Sequence, residues 1–137
     1  MWKEFGGIHP FLVHFPVALV ITTVVAETLY VLRREPRFGT AARFMVVAGA
    51  WAALPAMVAG FAAASGEGFD GELARAFSFH RIAGVATPML TVLAAGLAES
   101  SRRTGQIWEL MLFRIFLAAA LLSVVISGIY GDILVRG

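Results

Sequence analysis

The sequence contains no cysteine. That absence excludes disulfides, thiolate-bound zinc, iron–sulfur clusters and covalently attached c-type haem. Charge is also scarce. Asp, Glu, Lys and Arg make up 15% of the 137 residues, and the formal net charge is +2. Neither a basic stripe nor a run of like charge marks a nucleic-acid surface. Histidine occurs three times. No repeat or low-complexity tract is evident along the chain.

What abounds is apolar. Hydrophobic residues reach 59% and the mean hydropathy is +0.81, more apolar surface than one core of this length can hide. Nearly charge-free windows run from Phe5 to Ala26, Phe44 to Gly66, Ile82 to Ala98 and Ile115 to Gly131. Each reaches or approaches the roughly 20 residues a spanning helix needs. The windows predict one all-α integral membrane domain with spans at about 9–33, 41–64, 74–99 and 107–131. Connections this short join neighbours, which predicts an up-down-up-down four-helix bundle. The first window is read as mature structure rather than a signal peptide, because it is long, opens on histidines and prolines and lacks a small-residue cleavage site. Gly66, Gly68 and Gly71 punctuate the second loop, and helix-compatible sequence resumes near Glu72, ahead of the third apolar window. Pro16, Pro55 and Pro88 each remove a helix hydrogen bond and bend their spans.

The first and third loops carry Arg33, Arg34, Arg37, Arg43, Arg102 and Arg103. On the other side Lys3, Arg75, Arg81 and Arg136 are diluted by Glu4, Glu67, Asp70, Glu72 and Asp132. Lys and Arg accumulate on the cytoplasmic side, so both termini are expected to face the periplasm of a bacterial inner membrane. Trp2 and Tyr130 then fall at the outer interface, Tyr30 and Trp108 at the inner one.

Spans one and three run the same way, which brings His9, His14 and His80 into one outer-leaflet slab. Neighbouring helices about 8 to 10 Å apart put the axes of diagonal partners roughly 11 to 14 Å apart. Two imidazoles reaching across that gap can ligate one iron with a porphyrin between them. A bare zinc or copper ion would lack its remaining ligands, whereas haem brings four of its own. Five residues are about 140° of helix, so His9 and His14 cannot both face the bundle axis. His14 lies deeper and is taken as the partner of His80; His9 is an interfacial or capping group and remains the alternative ligand. Ala18 and Gly84 each follow a candidate ligand by four positions, on the same face, where a large side chain would strike the ring. Arg81 is placed to pair with haem propionates. Small residues line the second span at Gly49, Ala53, Ala56, Gly60 and Ala64, and the fourth at Ala119, Ser123, Ser127 and Gly131, as close helix packing also requires. Glu27 and Arg114 match in depth on adjacent helices and are expected to form an ion pair, with Glu109 as a competing partner.

The stretch "HPFLVHFPVAL", with His9, Pro10, His14 and Pro16, together with "VAGFAAASG" and "SGIYGDILVRG", resembles a family of small four-span bacterial membrane proteins known as domain of unknown function 2231. The resemblance covers nearly the whole chain. It implies a four-helix membrane fold and no particular activity. The arrangement is also similar to four-helix b-type cytochromes with paired histidines, except that no histidine lies in the inner leaflet, so one haem is the ceiling.

The expectation is therefore a membrane cytochrome b subunit with one haem b on His14 and His80, transferring single electrons within a larger respiratory or photosynthetic complex, with quinone as a candidate partner. Bis-histidine ligation leaves no open iron position, which makes an electron-transfer subunit the expectation rather than a stand-alone enzyme. Two rivals stand beside it. One is a noncatalytic scaffold subunit bound only to lipid and protein. The other is a copper- or proton-handling protein using His9, His14, His80 and Met89.

Overall fold

A computed structural model describes residues 7–65 and 68–136. The expectations placed on Trp2, Lys3, Glu4, Phe5, Gly66 and Glu67 lie outside the described residues. Among those described, the secondary structure is helical throughout: α1 (His9–Leu12), α2 (His14–Arg33), α3 (Pro36–Ala64), α4 (Gly71–Thr104) and α5 (Ile107–Arg136). With α1 and α2 taken together, four helices are long and apolar enough to cross a membrane.

Local chemistry sets the boundaries. Between α1 and α2, Val13 keeps helical dihedrals, but Pro16 has no N–H to give to Leu12, so the hydrogen-bond ladder lapses there. The chain continues in nearly the same direction, Val13 N donating to His9 O at 3.1 Å and Val17 N to Val13 O at 3.2 Å. α2 stops where Arg34 turns left-handed, at φ 58°, and its N–H closes on Tyr30 O at 2.9 Å. α4 stops the same way at Gly105, φ 69°, with its N–H on Ser101 O. Glycine adopts that conformation freely, whereas a side chain there costs about 1 kcal/mol. Pro36 opens α3, where its fixed φ and missing N–H do no harm. α4 begins at Gly71, so it carries some three turns of less apolar sequence ahead of its apolar window.

Packing is inverted relative to a water-soluble bundle. The buried seam is built largely of small residues, among them Ala42, Ala53, Ala56, Ala59, Ala83, Ala94 and Ala120, while Phe44, Trp51, Ile82 and Ile107 point outward. Small residues let backbones approach, and dispersion then holds the helices together where hydrocarbon removes the hydrophobic drive. Phe113 and Leu117 of α5 fill one end of the seam against Val46, Ala94 and Ala98; Val20, Ala120 and Val124 fill the middle. α2 packs most closely on α3, and α4 on α5; α3 then joins the two pairs by packing on α4.

Those two pairs correspond in register at a displacement of 71 residues. The left-handed caps Arg34 and Gly105 correspond, as do the helix starts Pro36 and Ile107. Buried positions follow the same rule: Val20 and Thr91, Thr23 and Ala94, Glu27 and Ala98, Val46 and Leu117, Gly49 and Ala120. No repeat is expected from the sequence, and the correspondence is one of helix boundaries and buried positions. Few residues are identical in the comparison; among them His9, Arg43 and Gly60 recur as His80, Arg114 and Gly131. A seam that requires only smallness leaves residue identity free to drift.

Candidate functional site

His9 is carried by α1, which packs on α3. Its ring lies over Gly60, so closely that a Cβ there would sit 2.9 Å from the imidazole Cε1. The ring's Nδ1 is 2.9 Å from Ala56 O. A carbonyl oxygen only accepts, so Nδ1 carries the proton, and in the neutral ring Nε2 keeps the lone pair.

His80 repeats this on α4 and α5. Its Nδ1 donates to Ser127 O at 2.9 Å, and Gly131 provides the notch, a Cβ there lying 3.2 Å from Cε1 and Nδ1. Each imidazole therefore lies over a glycine four residues beyond the carbonyl that orients it. The halves differ in one atom: Ser127 adds a hydroxyl 3.3 Å from His80 Nδ1, where Ala56 has none.

Both rings line one cavity of about 210 Å³. Its walls are mainly apolar, from Met57 and Phe61 on α3, Phe69 just before α4, Phe77 and Val85 on α4 and Leu134 on α5. Arg81 stands on the border, with its guanidinium carbon 5.9 Å from the Phe77 ring centroid. Gly84 also lines the cavity, with open space where a Cβ would be except for Ser127 Oγ at 3.9 Å.

His14, the expected partner of His80, is turned away from this cavity. It is exposed, and its Nδ1 bonds to Pro10 O on the adjoining α1. Ala18 is likewise exposed and lines no part of the cavity. The five-residue spacing correctly separates the two first-span histidines in direction, but depth does not decide which one faces inward. The Gly60 notch does, by admitting the His9 ring against α3. His9 is thus no interfacial cap. Met89 is 60% exposed, so His9, His14, His80 and Met89 do not converge on a common ion. Among the described residues no group of three or more His, Asp or Glu could hold a metal ion. Ala56 and Ser127 act through their carbonyls and escape a search for reactive side chains; the signal was the shared 47-residue separation of each histidine from its acceptor.

The other buried polar groups lie further along the bundle. Arg114 Nε donates to Glu27 Oε1 at 2.8 Å, and Glu27 is only 7% exposed. Glu109 does not compete for Arg114. Ser100 Oγ donates to one of its oxygens at 2.7 Å, and the Thr104 hydroxyl donates to the other. Between the histidines and the ion pair, Thr87 Oγ1 contacts Ser123 Oγ at 3.1 Å, and Ser123 Oγ donates to Ala83 O across the α4–α5 contact.

No curated protein and no solved structure matches this chain. A family model described as "Predicted membrane protein (DUF2231)" matches residues 6–136, and the paired histidine notches fall within that match. The chain belongs to this family of predicted membrane proteins, DUF2231.

Proposed function

We propose that this protein is a membrane b-type cytochrome subunit that holds one haem between His9 and His80 and passes single electrons. One observation carries the reading: two imidazoles line the same apolar cavity, each with Nδ1 tied to a helix carbonyl and Nε2 left over. A hydrogen bond from the far ring nitrogen to a carbonyl is how metal-ligating histidines are oriented and made more basic. The donor set fits haem better than a bare ion, because two nitrogens are too few for zinc or copper while a porphyrin brings four.

When bound, haem supplies the one-electron chemistry. The chain's own residues do the rest. The carbonyls of Ala56 and Ser127 fix both tautomers, and the glycines at 60 and 131 let the rings lie against their helices. Met57, Phe61, Val85 and Leu134 make the walls apolar, which would favour the less charged oxidation state of a bound haem. Arg81 offers a cation at the border for acidic substituents. Ser127 Oγ beside His80 alone makes the two ligands unequal.

The wider setting of the proposal follows from charge. The arginines around Arg34 and Gly105 favour the cytoplasmic face of a bacterial inner membrane for that end, which puts the histidine end and both termini toward the periplasm in an up-down-up-down bundle. Small outward-facing bundles of this kind suit a subunit of a larger respiratory or photosynthetic assembly, with quinone as a donor or acceptor. The test is the visible spectrum of the purified full-length protein, oxidised and then reduced with dithionite. A Soret band that shifts and sharpens, with split α and β bands, is the expected result. A colourless protein expressed under haem-replete conditions, with no iron by elemental analysis, would overturn the proposal.

A further inference from the structure

A second cavity of about 330 Å³ opens at the other end of the helices, beside the caps Arg34 and Gly105. Arg43 of α3 borders it, together with Tyr30, Ala98 and Arg102. The 71-residue displacement gives this cavity its meaning. It maps Arg114 onto Arg43 and Glu27 onto Ala98. In one half the arginine has its carboxylate, Arg114 on Glu27 at 2.8 Å. In the other half the carboxylate is missing, because residue 98 is an alanine only 2% exposed.

No neighbouring acid substitutes for it. Glu99, one position later, is held by Arg102 and Arg103 at 2.6 and 2.9 Å. Glu27 also borders the cavity but is engaged by Arg114. Among the described residues no carboxylate lies within ion-pair distance of Arg43; its polar neighbour is Thr40 Oγ1 at 3.5 Å. A guanidinium does not give up its proton, and a half-buried one within a membrane-spanning helix calls for an anion.

We propose that this cavity binds a phosphate group, with Arg43 as its principal partner and the Tyr30 hydroxyl as a further donor. The space exceeds what a single carboxylate would fill, and the planar guanidinium fork matches two phosphate oxygens. Gly39 shapes the wall by letting the Tyr30 ring lie flat on α3, a Cβ there falling 3.2 Å from Cδ2. The cavity sits at the ends of the spanning helices, the depth of lipid headgroups. The phosphate is accordingly either the diester of a membrane phospholipid or free inorganic phosphate.

Native mass spectrometry of the full-length protein tests this directly. The protein is released from phosphate-free detergent supplemented with diacylglycerol, which has no phosphate, with phosphatidylglycerol, or with diacylglycerol plus inorganic phosphate. A one-to-one phosphatidylglycerol adduct that weakens about tenfold in Arg43→Gln identifies the lipid. A phosphate adduct with the same dependence identifies the free anion. Ala98→Glu supplies the missing carboxylate from within and should displace either ligand while Arg43 is kept. The proposal is overturned if the wild-type protein binds neither phosphatidylglycerol more than diacylglycerol nor inorganic phosphate, or if a folded Arg43→Gln or Ala98→Glu variant retains the adduct at wild-type strength.

Discussion

Gly60→Ala is the sharpest perturbation of the histidine site. Replacing glycine by alanine inside a helix ordinarily stabilises it by about 1 kcal/mol. At position 60 the new methyl would lie 2.9 Å from His9 Cε1 and 3.3 Å from Nδ1, closer than carbon atoms pack. The imidazole can swing away, but only by releasing Ala56 O, a bond of about 1 kcal/mol whose acceptor lies in a buried part of α3. Overpacking adds roughly 1 to 3 kcal/mol. Set against the helix gain, the net expectation is a loss of about 1 to 3 kcal/mol. Gly131→Ala meets His80 at 3.2 Å, so its loss should be smaller. Gly96→Ala and Gly128→Ala are controls on α4 and α5: nothing lies within 4 Å of either position, and both should be neutral or stabilising. Thermal unfolding of the four variants in one detergent, followed by tryptophan fluorescence, reads the series. If Gly60→Ala proves as stable as Gly128→Ala, the His9 ring does not occupy the notch and the geometry of the site is wrong.

Other substitutions probe the rest of the bundle. Glu27→Gln leaves Arg114 without its carboxylate at a site where Glu27 is 7% exposed, and should cost about 3 kcal/mol, the lower end for breaking a buried pair because Arg114 is partly exposed; reversible denaturation in mixed micelles measures it. Glu109→Gln weakens two charge-assisted bonds, from Ser100 and Thr104, and should cost about 1.5 kcal/mol in the same assay. Gly105→Ala forces a side chain to φ 69° with no clash to relieve and should lose about 1 kcal/mol, whereas Arg34→Gly, its counterpart, should be neutral or slightly stabilising.

Much of this architecture is legible in the sequence. The four apolar windows mark the four helices, since lipid forces each crossing to satisfy its own backbone and so to be long and apolar. Glu27 and Arg114 stand out for the same reason, as charges too costly to leave alone. The histidine pairing was legible only in part. Spacing shows that His9 and His14 diverge, but the choice between them rests on the face of α1 that meets α3, and that is fixed by Gly60, one small residue among many in its stripe. Reading Gly60 and Gly131 as a pair, each 51 positions beyond its histidine, would have singled out His9. The correspondence at 71 residues hid that signal, because buried positions recur while their residues differ, Glu27 standing opposite Ala98 and Ala42 opposite Phe113.

The central claim is that His9 and His80, not His14, form the functional pair. Visible spectra of dithionite-reduced His9→Ala, His14→Ala and His80→Ala, prepared with intact helical content, test it most directly. The account predicts that His9→Ala and His80→Ala each lose the six-coordinate low-spin bands while His14→Ala keeps them; low-spin bands that survive in His9→Ala and vanish in His14→Ala would contradict it.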